Sequence, residues 1–130
     1  MVPVYGFFKE VRLPFDRAVE TVSEALKKEG FSILTTIDLQ AKFKEKLGID
    51  FPKYLILGAC EPVNAHQAIL AEANIGLMMP CNVILYEKGD RVGVAIVKPT
   101  VTTDISKNAK LRRITAIVEE KLERVFQAVK

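Results

Sequence analysis

Two strand-like runs stand almost back to back late in the chain, residues 81–86 (CNVILY) and 91–97 (RVGVAIV), with only EKGD between them. Aliphatic and β-branched residues dominate both, and so short a gap leaves no room for a crossover helix. Gly89 can supply the positive φ of a tight hairpin loop. The two runs are therefore antiparallel neighbours. That one constraint excludes a doubly wound parallel sheet.

Three further runs read as strands: 4–12 (VYGFFKEVR), 31–37 (FSILTTI) and 53–59 (KYLILGA). The third is an almost unbroken apolar run, expected in the sheet interior. Helical patterns fill the intervals. After Pro14, the residues Phe15, Ala18, Val19, Val22, Ala25 and Leu26 recur at helical spacing, Asp16 favours the start, and Gly30 is placed to end it. Asp38 caps a short helix in which Leu39, Phe43 and Leu47 fall four apart, closed by Gly48. Pro62 opens a third helix through Ala73, whose small residues permit a close approach to the sheet. A terminal helix carries the stripe Leu111, Ile114, Val118, Leu122, Val125 and Val129, with Glu119, Lys121 and Arg124 expected in solvent. Residues 74–80 (NIGLMMP) fit neither periodicity, and Pro80 biases Met79 away from the helical region, so this stretch is expected to be extended or turn-like. Residues 98–107 are expected to form a loop.

The order β-α-β-α-β-α-β-β-α predicts an α/β (α+β) two-layer sandwich, a mixed sheet of about five strands with helices on one face. A length of 130 residues suits one domain, spanning 1–130. The composition, 49% hydrophobic with 19 basic against 16 acidic residues, excludes a disordered chain and gives no dense basic face. Arg12, Arg17, Lys27, Lys28, Arg112, Arg113 and Arg124 are dispersed rather than interleaved with aromatics, which argues against nucleic acid. No phosphate-binding glycine motif occurs, and no cofactor is expected. The N-terminus shows no basic segment leading into a long apolar run, so a soluble cytoplasmic protein without membrane attachment is expected. The runs KYLILGA and RVGVAIV look apolar on both sides, whereas helices can cover only one. A homodimer that covers the second face is the expected solution.

Two blocks, 54–62 (YLILGACEP) and 75–86 (IGLMMPCNVILY), carry a family resemblance. A tyrosine-led strand, Leu-Gly-Ala-Cys, a proline after one residue, an alanine-rich helix, then Ile-Gly-Leu and Pro-Cys-Asn at this separation resemble the family called domain of unknown function 302. The resemblance implies an α/β sandwich that assembles as a dimer, and no established activity. Where that family usually has Cys-Asn-Pro, this chain has Cys60-Glu61-Pro62.

Candidate chemistry gathers in the same two blocks. Cys60 precedes the helix opened by Pro62, where unpaired N–H groups and the helix dipole lower a thiol pKa. His66, the single histidine, falls one turn into that helix and could serve as base to a nucleophilic Cys60. Cys81 could pair with Cys60 in redox chemistry, or the two could hold a soft metal with His66 and Met78 or Met79. The competing expectation is that both cysteines pack as small hydrophobes. Glu61 either caps the helix or closes a polar pocket, and Asn82 either contacts a ligand or bonds the local backbone. The favoured function is a small-molecule binding or sensing module, its ligand-binding residues Cys60, Glu61, His66, Met78, Cys81 and Asn82. The alternatives are a thiol-dependent enzyme, redox or nucleophilic, using Cys60 with Cys81 or with His66 as catalytic partner, and a dimeric interaction protein without chemistry. A shared cleft requires residues 74–80 to return along the sheet; a simple crossover would leave the cysteines at opposite ends.

Overall fold

A computed structural model describes residues 2–130. The strands are β1 (Gly6–Val11), β2 (Ser32–Asp38), β3 (Tyr54–Cys60), β4 (Cys81–Lys88) and β5 (Arg91–Val97). The helices are α1 (Phe15–Lys28), α2 (Leu39–Leu47), α3 (Pro62–Ala71), α4 (Pro99–Thr103) and α5 (Ala109–Ala128), with a 3-10 helix at Ala73–Met78. The five strands form one sheet in the order β1-β5-β4-β3-β2.

The two-layer arrangement is as the sequence predicts, with a sharper topology. All four ladders are antiparallel. The hairpin turns through Gly89-Asp90 between the paired Lys88 and Arg91, and Gly89 has φ 63, a conformation that glycine reaches without Cβ strain. α3 does not carry the chain across to a parallel strand. Together with the 3-10 helix it makes an excursion that returns to the end of the sheet it left, so Cys81 lies opposite Ala59.

One face of the sheet packs on α1 and α5. Along β3, β4 and β5, Leu57, Ala59, Val83, Leu85, Val92, Val94 and Ile96 are buried, meeting Ala18, Val22 and Leu26 of α1 and Val118, Leu122 and Val125 of α5. α1 ends with Gly30 N–H donating to Lys27 O and Phe31 N–H to Leu26 O, the paired bonds that close a helix at a left-handed residue. Phe31 is buried beside Leu26 in the same core, so the cap also carries an apolar contact. At the far end, Lys9 donates to Phe126 O at 2.7 Å and Val129 O at 2.6 Å, placing a cation on the C-terminal carbonyls of α5. Burial and the nearby Lys130 push the Lys9 pKa down.

Several expectations need correction. α2 is capped by Asp38 and closed by Gly48 as expected, yet it buries no residue: Phe43 meets Phe51 edge-on and Leu47 stays exposed. α3 stops at Ala71, and residues 73–78 wind into a 3-10 helix, the turn-like rather than the extended form of the two expected. The expected loop at 98–107 contains α4, which starts with Pro99 at its first turn and is capped from afar by Glu119, whose Oε1 accepts from Thr100 N at 3.0 Å and Oγ1 at 2.6 Å. Glu119 is thus a structural cap, not a solvent residue. Lys121 and Arg124 also reach acidic partners, Glu61 at 3.8 Å and Glu29 at 3.0 Å.

Among the described residues, the other face of the sheet contributes nothing to the main core. Strand alternation assigns it Phe8 from β1, Tyr54 and Ile56 from β3, Ile84 and Tyr86 from β4, and Ala95 and Val97 from β5. The rings of Tyr54 and Tyr86 stack at 5.5 Å, and Tyr86 and Phe8 at 6.3 Å, in a row that spans four strands. Gly93 of the intervening β5 makes this possible, because a Cβ there would stand 2.7 Å from the Tyr86 ring. Glu10, Lys88 and Arg91 close one end of the face, with the Glu10–Lys88 pair at 2.9 Å.

Candidate functional site

α3, the 3-10 helix, α4 and the N-terminal half of α5 do not close perfectly on the strand ends beneath them. Ala68, Ile75, Leu111 and Ile114 form a small second core, with Ala71 and Met79 packed against it. Between this cluster and the main core lies an apolar cavity of about 60 Å³. Its floor is Ala59 with Cys60 and Cys81; Ala65 and Ala68 of α3 face Ile114 and Val118 of α5 across it. Alanines on α3 explain the gap: they let the helix come close but leave its side-chain layer thin. Met78, which is 49% exposed, sits at the rim.

Polar atoms fringe the cavity at two places. One is the pair Thr103 and Thr115, both buried, whose hydroxyls lie 3.0 Å apart. Their protons have backbone acceptors, Pro99 O and Thr100 O for Thr103 and Arg112 O for Thr115. The other is Glu61, 8% exposed, with Asn64 beside it. Glu61 Oε2 accepts from Asn64 N and Asn64 Nδ2, each at 2.7 Å, so this carboxylate caps α3 as the local sequence predicts.

The two cysteine segments do meet. Cys60 follows Ala59, the direct cross-strand partner of Cys81, which bounds the separation of the two Cα atoms at about 9 Å from strand spacing and one chain step. Both thiols are free. Cys81 shares the parity of Val83 and packs against the main core, whereas Cys60 ends β3 on the opposite parity and is not part of that core. The acidic thiol expected for Cys60 is not what its surroundings produce. Partial burial and the neighbouring Glu61 carboxylate push its pKa up, and deeper burial, with a smaller contribution from Cys60, pushes Cys81 up to about 11. Desolvation and a like charge outweigh the helix N-terminus, whose first N–H groups are already engaged by Glu61.

His66 stands on the exposed side of α3 and does not border the cavity that Cys60 lines. Of the residues expected for a soft metal, Cys60 and Cys81 border the cavity and His66 does not; among the described residues no three His, Cys, Asp or Glu side chains group together as a metal cluster. Asn82 is exposed and lines a neighbouring cleft with Met78, Met79 and Pro80. Of the expected ligand-contacting residues, the cavity therefore gathers Cys60, Glu61, Met78 and Cys81, and leaves out His66 and Asn82. Thr103, Thr115 and the helix α4 that brings Thr103 there escaped the sequence reading. The available signal was Pro99 followed by three threonine or valine residues and a further threonine, a first-turn proline that can begin a short helix.

Residues 7–129 match the model of a family described as Domain of unknown function DUF302. The solved structure of an uncharacterized conserved protein DUF302 from Bacillus stearothermophilus is similar, with 25% sequence identity and a TM-score of 0.90 over 98% of this chain and 100% of that one. No curated protein matches the sequence. Among the described residues, no helix is long and apolar enough to cross a membrane.

Proposed function

From the premise that this chain belongs to the DUF302 family, we propose that it is a binding module whose ligand occupies the cavity between α3, α4, α5 and the ends of β3 and β4. The observation that carries this reading is a partly open apolar space with a buried carboxylate and a buried hydroxyl pair at its margin. A volume of about 60 Å³ is far below the several hundred Å³ of an ordinary drug-sized site. It has room for a few waters or a ligand of roughly three or four heavy atoms. Met78 and Met79, unbranched and polarizable, can repack to admit somewhat more.

Thiol chemistry has less support from the same geometry. A nucleophile needs thiolate at neutral pH, both thiols are shifted the other way, and the one histidine lies outside the cavity. Two reduced thiols suit a reducing, cytoplasmic compartment.

The open sheet face supports a homodimer. Five strands of about seven residues span a plan area of roughly 550 Å² at ordinary strand spacing and rise. With side-chain relief this approaches the ~800 Å² that each partner contributes to a standard stable interface. The stacked Tyr54, Tyr86 and Phe8 would form its centre. The cavity lies on the helical side, so binding and dimerisation use separate surfaces.

Methyl NMR of protein labelled at methionine tests the binding reading. Small organic compounds that occupy the cavity should shift the Met78 and Met79 methyl signals saturably. A broad set of compounds of three to six heavy atoms that leaves both signals unmoved would remove this function.

A further inference from the structure

Resting on the cavity as a binding site, we infer that its occupant is a soft monovalent cation, copper(I), bound by the Cys81 thiolate and the thioethers of Met78 and Met79. The chain has two cysteines and three methionines. Four of these five sulfur-bearing residues, all but Met1, border the cavity between the two cores. They reach it from different sides. Cys81 packs against the main core and Met79 against the small second core, so each cluster contributes a sulfur-bearing side chain to the space between them.

Access singles out three of the four. Cys81, Met78 and Met79 line both the cavity and the neighbouring cleft that holds Asn82. They form the partition between the two, and an ion entering through the cleft meets them before it reaches the apolar interior. Cys60 borders the cavity but not the cleft, and it ends β3 on the opposite parity from Cys81. It is not one of the ligands.

Charge and softness select the ion. On binding, the Cys81 S–H bond breaks, an S–Cu bond forms, and the proton leaves to solvent. Thioethers bring no charge, so a monovalent ion leaves the site as neutral as it was before. The lining of Ala65, Ala68, Ile114 and Val118 tolerates nothing else. Burial, which keeps the Cys81 thiol protonated, opposes a bare thiolate but not one whose charge a cation cancels. A divalent ion on the same three donors would leave a positive charge in apolar surroundings. Zinc also draws its ligands from Cys, His, Asp and Glu, whereas thioether sulfur suits copper(I). The unbranched methionines can turn to meet the ion.

Anaerobic titration of the full-length protein with tetrakis(acetonitrile)copper(I), in competition with bathocuproine disulfonate, tests the inference. Each chain should retain a single copper(I) and show both the Met78 and Met79 methyl signals shifted, while zinc sulfate moves neither. Cys81→Ser should weaken copper(I) by more than about a hundredfold, since even outer-shell changes cost ~10–100-fold. Cys60→Ser should leave the affinity unchanged. Met78→Leu combined with Met79→Leu keeps the apolar volume. It should weaken copper(I) by about tenfold or more, a result that stands even if Cys81→Ser does not fold. Circular dichroism and xenon binding in the metal-free variants report the fold and the cavity. Copper(I) held equally well by the folded double leucine variant would overturn the assignment, as would an equal loss in Cys60→Ser and Cys81→Ser. Wild-type protein that binds xenon but retains no copper(I) would overturn the metal alone. Absence of xenon from the wild-type cavity would instead overturn the binding site on which the assignment rests.

Discussion

Ala68→Val probes the cavity through stability alone. Ala68 is 6% exposed, borders the cavity and sits in the second core with Ile75, Leu111 and Ile114. Valine adds two methyl groups, each worth about 0.8 kcal/mol when buried. Against that stands the weaker helix propensity of valine, up to about 0.6 kcal/mol. The net expectation is a gain of about 1 kcal/mol. A cavity of about 60 Å³ sets an independent ceiling near 1.4 kcal/mol, taking roughly 24 cal/mol for each Å³ of void. If the wall were instead closely packed, the same methyl groups would be forced against their neighbours at a cost of ~1–3 kcal/mol. The two cases differ in sign, so precision is not the obstacle. Urea denaturation at constant m-value gives the difference directly. Ala116→Val, on the exposed side of α5, supplies the propensity loss without the filling. A higher midpoint for Ala68→Val supports the cavity; a fall of 1 kcal/mol or more refutes it.

Light scattering at micromolar concentration should give twice the 14.5 kDa chain mass, and Ile84→Glu on the open sheet face should return the protein to the monomer mass. A wild-type mass of 14.5 kDa would reject the dimer. Because burial raises the Cys81 pKa from 9.0 to about 11, folding favours its neutral form; that contribution is complete below pH 9 and fades as pH climbs through about 11. Alkaline denaturation should therefore show a loss on the order of 2–3 kcal/mol across this window, and Cys81→Ala should flatten it. Leu122→Ala, at a fully buried position of α5, should cost ~2–5 kcal/mol in chemical denaturation; a change under ~0.5 kcal/mol would show that the α5 stripe is not core.

The parts of the fold with strong periodicity were legible. Ala18, Val22 and Leu26, and again Leu111, Val118 and Leu122, recur at helical spacing because one side of each helix is buried, and the structure buries them. The hairpin was legible because Gly89 leaves few alternatives. What stayed hidden depends on contacts between distant residues. α4 has too few residues for a periodic signal, and its cap comes from Glu119, nineteen residues away. Leu39, Phe43 and Leu47 have a helical spacing, but α2 buries none of its residues.

The candidate site divides in the same way. Local turn chemistry reveals the Glu61 cap, since the carboxylate and the N–H it accepts from are three residues apart. Which side of α3 faces inward is not local. The helix is rich in apolar residues around much of its circumference, with Val63, Ile69 and Leu70 exposed and Ala68 buried, so hydrophobicity could not orient His66. The thiol pKa failed for a related reason. A helix N-terminus is readable from Pro62, whereas the burial that outweighs it depends on how α3 and α5 settle on the strand ends.

Crystals of the wild-type protein under xenon pressure test the central claim most directly, since xenon needs an apolar volume and no particular chemistry. The binding-module account predicts a xenon peak bounded by Ala68, Cys81, Ile114 and Val118, and its loss in Ala68→Val. Continuous side-chain packing in that space, with no xenon peak, would contradict it.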